Sequence, residues 1–448
     1  MKQYVATPSR FVNRRNLWVA DVIMRIVMMT NTYLPHVGGV ARSVALYTQH
    51  MRALGHDVLV VAPRFEGAPK HEPDVVRLPA VQHFNGSDFA VVVPVPVFLR
   101  SRLHQFRPQL VHSHHPFLLG NSAVRVAAAF HVPLVFTHHT MYEDYTHYVP
   151  VHASALRQFV IDLSVGYANL CDQVIAPSKS IERVLRQRGV ETPIESIPTG
   201  VEVDRYADGA GDQIRRRFGV PDAAFVVGYV GRLAPEKNLA FLSQAVVRFC
   251  AVHNNAVFLV VGRGPEQARI EAVFDKHNVR DRLRCTGALE GQDLVDAYHA
   301  MDLFAFASRT ETQGMVIAEA MAASTPVVAL DGSGVRDIVR NDENGWLLKT
   351  EDTAPFSEAL ERFARLDQSA RRSMCRHARQ TADEYSMEKC CKRVLDLYQR
   401  LLGETPGSRD EDPWTVAMER IKAEWDLLSN LAGSIRRAVS GEPDAGGT

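Results

Sequence analysis

Short apolar, β-branched runs alternate with longer amphipathic stretches along most of the chain. The runs fall at residues 26–29, 58–62, 110–112, 134–137 and 173–176, and again at 225–229, 257–261, 283–286, 303–306 and 326–329. Strands covered on both faces read as continuous apolar runs, and amphipathic stretches between them read as helical crossovers. The pattern predicts an α/β fold on parallel sheets, laid down twice. Between Ile197 and Pro221 it breaks, where Pro198, Gly200, Gly209, Gly211 and Pro221 gather among charges, a boundary signal. We place the domain boundary within 201–210, assigning residues 23–203 to a first Rossmann-like domain and 204–385 to a second. Residues 386–403 then read as one more helix, apolar at Cys390, Val394, Leu395, Leu397 and Leu401, suited to tying the two domains together. In 404–448 a Gly/Pro-rich linker precedes Met418, Ile421, Trp425, Leu428, Leu431 and Ile435 at helical spacing. That helix either packs on the protein or lies on a membrane surface.

Composition narrows the partners. The 448 residues are 46% hydrophobic and 23% charged, ordinary for a globular protein of two or three domains. Lys+Arg 51 balances Asp+Glu 51, so nothing in the whole molecule asks for nucleic acid. The balance conceals a split. Residues 1–200 hold 19 Lys/Arg against 13 Asp/Glu, a net of +6, and the remainder holds 32 against 38, a net of −6. A basic first half favours an anionic surface such as a membrane leaflet. The six cysteines have neither CxxC spacing nor a disulfide framework, and read as reduced thiols of a cytoplasmic protein. Residues 1–22 carry Arg10, Arg14 and Arg15 with only a short apolar run, a poor signal peptide. They read as an extension, with Met24 an alternative start. No stretch reaches the ~18 apolar residues of a membrane span, so any membrane contact is expected to be peripheral, at the inner face.

Three segments carry chemistry. The first, Thr30 to Ser43, follows a strand and opens a helix through Gly38-Gly39; glycines there let backbone N–H groups approach an anion. The spacing is not the GxGxxG of dinucleotide enzymes, and the pair is also compatible with a plain tight turn. The second, Gly228 to Asn238, sets Arg232 and Lys237 five residues apart across a proline-containing turn. That arrangement suits two cations converging on a diphosphate, or else a solvated loop. The third, Ser308 to Ala322, places Glu311 before Gly314 and Glu319 about one turn inside the helix that follows. Two carboxylates and free helix N–H groups can then face one polyhydroxylated anion.

Taken in order, these segments closely resemble the group 1 retaining glycosyltransferases of the GT-B fold. The resemblance runs from about Met24 to Leu402 and rests on Glu311…Glu319, Gly231-Arg232…Lys237-Asn238, Gly262-Arg263-Gly264-Pro265 and the Gly38-Gly39 loop. It implies two facing domains, a nucleotide-sugar donor held chiefly in the second, an acceptor in the first, and no obligatory metal or cofactor. By the same resemblance Glu319 holds the donor ribose and Glu311 the donor sugar. Arg232 and Lys237 take the diphosphate with backbone at Gly38, Gly39, Gly314, Met315 and Val316. Gly231, Gly262, Arg284 and Gly287 complete the donor site, with 284–289 beside the base.

Fourteen of the 18 histidines fall in the first 152 residues. They follow separate strands with no HExxH motif and no consistent carboxylate partner, which argues against a metal centre. Strand ends at the carboxyl edge of a parallel sheet are where such domains meet their ligands. The resemblance places His139 against the transferred sugar near its reactive carbon, with His138 and His114 orienting it or satisfying backbone groups. Among possible nucleophiles only Glu143 and Asp144 stand nearby, and both lie past the expected position. The reading is therefore front-face attack, in which the departing diphosphate takes the acceptor proton. Residues 137–150 and Glu311-Thr312-Gln313-Gly314 look most like the branch that glucosylates diacylglycerol. That implies UDP-glucose as donor and a lipid acceptor lined by Tyr33, His138, Tyr142, Tyr145 and Tyr148. Phosphatidylinositol, a soluble sugar or polyol, and a nucleotide-sugar epimerase reaction on the same fold stay open.

Overall fold

The computed structural model describes residues 23–36, 38–69, 71–81, 91–92, 97–143 and 153–404. The N-terminal extension, Tyr145, Tyr148 and the amphipathic stretch at 414–439 lie outside these residues. In the first half the elements run β1 (Arg25–Met29), α1 (Gly39–Ala53), β2 (Asp57–Pro63), β3 (Val75–Leu78), β4 (Ala80–Val81), β5 (Val91–Val92), α2 (Val97–Phe106), β6 (Leu110–Ser113), α3 (Leu119–Phe130), β7 (Leu134–Thr137), α4 (Ala153–Asn169), β8 (Gln173–Ala176), α5 (Lys179–Gln187) and β9 (Ile194–Ser196). The second half continues with α6 (Gly211–Arg217), β10 (Phe225–Val230), α7 (Leu239–Val252), β11 (Ala256–Val261), α8 (Gln267–Lys276), β12 (Leu283–Gly287), α9 (Gly291–His299), β13 (Leu303–Phe306), α10 (Met315–Ala322), β14 (Val327–Leu330), β15 (Gly345–Leu348), α11 (Thr353–Ala364), α12 (Gln368–Glu384) and α13 (Met387–Glu404).

Two parallel sheets result, ordered β3-β2-β1-β6-β7-β8-β9 and β12-β11-β10-β13-β14-β15, beside a small antiparallel β4-β5 ribbon. In the first sheet alternate residues of each strand face opposite layers. Val27, Met29, Leu59, Val61, Val111 and Phe136 join one core with α3. Ile26, Met28, Val58, Val60, Leu110 and Val135 join the other, with α1. That second layer is completed from the far end of the chain: Met387, Cys391, Val394, Leu395, Leu397 and Tyr398 of α13 belong to it. The predicted last helix therefore leaves the second domain and packs on the first. The second sheet buries its own core, from Val226 and Val227 to Phe304 and Val328.

The chain crosses between domains twice, and the crossings pair. Val201 N donates to Tyr385 O at 2.9 Å and Met387 N to Val201 O at 2.8 Å, a parallel bridge between Val201 and Ser386.

Candidate functional site

In each sheet one strand has its sequence neighbour on one side and a later strand on the other, and ligands of open α/β sheets bind in the crevice this reversal opens. In the first sheet the reversal lies between β1 and β6, so the loop after β1 meets the histidines after β6: Asn31 N donates to His115 Nδ1 at 3.1 Å. In the second it lies between β10 and β13, bringing the loop of Arg232 and Lys237 against that of Glu311. Lys237 Nζ donates to Glu311 Oε1 at 2.5 Å. Burial works against ionising Glu311, but the Lys237 ammonium, a Ser308 hydrogen bond and Arg232 together hold its carboxyl below the usual glutamate value. Arg232 pairs with Glu236 and stays about half exposed.

Backbone contacts stitch the surrounding loops: Gly231 N donates to Val261 O at 3.0 Å and Gly262 N to Gly287 O at 2.9 Å. A Cβ at Gly262 would stand 1.9 Å from Gly231 O, so no larger residue fits between these strand ends. Gly314 takes φ 75° as the N-cap of α10, which no side chain caps; the left-handed turn suits glycine and aims the first N–H groups, Met315 and Val316, outward from the helix end. One turn later Glu319 is enclosed, its side chain 2% exposed, with Arg42 Nη1 at 2.5 Å from Oε1 and the Tyr298 hydroxyl donating to Oε2 at 2.8 Å. Arg42 belongs to the first turn of α1, just past Gly38 and Gly39, and also donates to the Tyr206 hydroxyl at 2.8 Å. The first turn of α1 and the second turn of α10 thus converge across the two domains.

In the first domain His139 Nε2 and His114 Nδ1 lie 2.9 Å apart. Burial first, then repulsion from His115, His112 and His138, drives His139 well below the ordinary histidine value; burial, with His112, His139 and His115, does the same to His114. Both rings are therefore neutral near pH 7, one nitrogen donating to the other.

Three predicted residues sit elsewhere than their assigned roles require, and Glu143, set aside in the sequence as a nucleophile, is paired. His138 is 2% exposed and its Nε2 lies 3.2 Å from Ser164 Oγ of α4, so it faces the domain interior rather than an acceptor. Tyr33 is 6% exposed, in the core beneath Arg77, whose guanidinium lies 5.2 Å from its ring centroid. Arg284 is taken up at the opposite edge of the second sheet, donating to Gly219 O, Asp281 O and Leu283 O. Only Gly287, at the other end of β12, reaches the site edge. Glu143 is buried against Arg188 at 2.6 Å, which removes it as a nucleophile. Tyr142 packs on Phe117, centroids 5.0 Å apart. Among the described residues no three His, Cys, Asp or Glu side chains are grouped to hold a metal ion, and the six cysteines are all free.

Sequence reasoning missed Arg42, Tyr206 and Tyr298. The tyrosines carry no local signal. Arg42 does: a cation in a helix's first turn opposes the helix dipole, an anomaly explained when an anion faces it. The assembled site offers three cations, two helix N-termini, two carboxylates and a neutral imidazole around one crevice. Such a set can hold a diphosphate joined to two polyhydroxylated groups.

Comparison with known proteins agrees with this architecture. The Glycosyltransferase Family 4 model matches residues 37–205, and the Glycosyl transferases group 1 model matches residues 211–381. A GDP-mannose-dependent alpha-mannosyltransferase of Corynebacterium glutamicum is 30% identical over 389 residues, covering 84% of this chain and 88% of its own. An alpha-monoglucosyldiacylglycerol synthase of Acholeplasma laidlawii is 28% identical over 339 residues, 72% of this chain and 84% of its own. Among solved structures, the sucrose-phosphate synthase of Thermosynechococcus elongatus superposes with TM-score 0.70 at 21% identity, covering 85% of this chain and 100% of that one. That likeness establishes the two-domain GT-B fold.

Proposed function

The chain belongs to the group 1 glycosyltransferases, with a first half of the family 4 type, and on that premise we propose that it moves glucose from UDP-glucose, with retention of configuration, to a lipid alcohol such as 1,2-diacylglycerol. The observation that carries the reading is the Lys237–Glu311 contact at the reversal point of the second sheet, opposite the convergence of α1 and α10. Glu311 takes hydroxyls of the donor sugar and Glu319 those of the ribose, Arg42 yielding one oxygen as the ribose arrives. Arg232, Lys237 and the N–H groups at Gly39, Met315 and Val316 take the diphosphate. Gly38, Gly231, Gly262, Gly287 and Gly314 let the backbone approach.

The acceptor hydroxyl attacks the anomeric carbon on the face from which the diphosphate leaves. The bond from that carbon to the phosphate oxygen breaks as the new glycosidic bond forms, and the hydroxyl proton passes to the leaving oxygen. Cations and helix ends stabilise the departing charge, which is why the reaction requires no metal. A neutral His139 serves better than a charged one, because it contacts the sugar without setting a positive charge beside an oxocarbenium-like centre. With Glu143 paired to Arg188, that carboxylate offers no covalent route on the acceptor side.

For the acceptor, the support is the basic first half and the Acholeplasma relative, whose name is that of a diacylglycerol glycolipid synthase. A second reading keeps the chemistry and changes the donor to GDP-mannose, favoured by the 30% identical relative that uses it. The test is release of nucleoside diphosphate from UDP-glucose, UDP-galactose or GDP-mannose, with and without diacylglycerol vesicles, in EDTA. Release from UDP-glucose only with vesicles is expected. Vesicle-dependent release from GDP-mannose alone would establish the second reading. Release with soluble acceptors but not vesicles would overturn the lipid assignment. Sugar interconversion without any acceptor would mark an epimerase.

A further inference from the structure

Between Glu311 and Gly314 stand two residues that the donor-site reading leaves without a task, and both reach into the other domain. Thr312 Oγ1 donates to the backbone carbonyl of His139 at 2.7 Å, and its own carbonyl accepts from Ser178 Oγ at 2.8 Å. Gln313 pairs with Thr199 as a strand would: its Oε1 accepts from Thr199 N at 2.7 Å and its Nε2 donates to Thr199 O at 2.5 Å. Thr199 Oγ1 in turn lies 2.8 Å from Ser43 Oγ on α1. These contacts run in order along the carboxyl edge of the first sheet, past the ends of β7, β8 and β9.

The two residues sit at different distances from the hinge. Thr199 is two positions from Val201, where the domain crossings pair, so rotation about the hinge moves it little relative to Gln313. Gln313 is 6% exposed, and breaking its pair would leave buried amide groups unsatisfied. Thr312 reaches further into the cleft, to the residue read as touching the reacting sugar. We propose that Thr312 and Gln313 are positioning residues: Gln313 pins the donor loop to the hinge strand, and Thr312 sets His139 at a fixed distance from Glu311 when the domains close. The proposal rests on the reading of His139 and Glu311 as sugar contacts. A displacement of ~1 Å at a reacting centre costs about 100-fold in rate, so a single hydrogen bond between the two sugar-contacting segments has catalytic weight without touching substrate.

The experiment uses the full-length chain and whichever of UDP-glucose and GDP-mannose it consumes. Thr312→Val keeps the shape and removes the donor; Thr312→Ser restores it. Gln313→Met keeps length without the amide, and its melting temperature shows whether it is folded. Thr312→Val and folded Gln313→Met are expected to lower kcat about 10- to 100-fold, while UDP or GDP binding by calorimetry stays within about twofold, since neither side chain is among the nucleotide contacts and most of those belong to the second domain. Thr312→Ser should recover most of the wild-type kcat. A Thr312→Val kcat within about twofold of wild type would overturn the proposal while leaving the function standing. So would an equal loss in Thr312→Ser, or a loss of nucleotide binding that matches the loss of kcat. A wild-type chain that consumes no nucleotide sugar would overturn the functional reading, and this inference with it.

Discussion

Lys237 and Glu311 meet at 2.5 Å with each side chain less than a fifth exposed, so removing either one strands a mostly enclosed charge. A carboxylate left without its cation costs more than the pair contributes. Lys237→Met should therefore destabilise the chain by ~1–3 kcal/mol, and Lys237→Met with Glu311→Gln by less than the two singles added, a coupling read by chemical denaturation. Additive costs would mean that solvent screens the pair. The buried histidines supply a second prediction. An unfolded histidine titrates near ~6.5, whereas burial pushes His112 and His115 down to about 3 and His138 to about 4, and His114 and His139 well below the ordinary value. Below about pH 6.5 the unfolded chain takes up protons that the native one refuses. Stability is thus complete above that pH and falls as pH drops toward about 4, by at most ~1.4 kcal/mol per pH unit for each ring that stays neutral. Urea midpoints at pH 7.5, 6 and 5 should decline in that order; a flat series would show the rings to be protonated in the folded state. The same burial explains which site residues the sequence disclosed. Glu311, Lys237 and Gly314 announce themselves through charge and turn chemistry beside strand ends. His138 and Tyr33 share those loops and composition, and only packing, inward to Ser164 and beneath Arg77, tells them from His139. Arg284 stands in the right strand but at its wrong end, a distinction that a residue-type argument does not make.

At the level of elements, the ten runs found in the sequence correspond to strands with bounds within one residue, nine of them interior and one, β12, at the edge of the second sheet. The strands it did not disclose are β3, β9 and β15, each at the edge of a sheet, and the short β4-β5 ribbon. An edge strand is covered on fewer sides, and the buried fractions of these three are partial, so each lacks the apolar run that marks a doubly covered strand. The helix α13 was legible by its apolar spacing, but not the layer it would cover. Beside its apolar packing the helix makes a buried polar contact with the first sheet: Tyr398 OH lies 2.5 Å from His112 Nδ1, whose Nε2 lies 2.7 Å from Thr137 Oγ1. Tyr398→Phe would leave a buried ring nitrogen without its partner, at a cost of ~1–3 kcal/mol. Because neither Tyr398 nor His112 is among the donor contacts, the donor KM should not change. A raised KM at unaltered stability would mean that α13 transmits its position to the cleft rather than bracing the first domain.

For the whole molecule, the division of charge matters more than its sum. A net of +6 in residues 1–200, half of it in residues 1–22, opposes −6 in the rest, so the first half of the chain is drawn to an anionic surface and the second is repelled by it. On the proposed lipid acceptor, such an orientation would turn the first domain toward the bilayer and leave the donor domain in water, where nucleotide sugars are dissolved. No helix among the described residues is long and apolar enough to cross a membrane. Each basic residue close to an anionic leaflet contributes ~1 kcal/mol, and salt removes it as the screening length falls from ~10 Å at 0.1 M to ~3 Å at 1 M. The full-length chain should co-sediment with vesicles containing anionic lipid far better than with neutral ones, and lose at least ~10-fold in affinity over that salt range. A chain lacking residues 414–448 separates the two candidate forces. If charge on the first domain does the holding, the truncated protein keeps the salt-sensitive binding. If the apolar face of the tail does it, truncation abolishes binding that salt had left intact, and the charge asymmetry then orients the enzyme without attaching it.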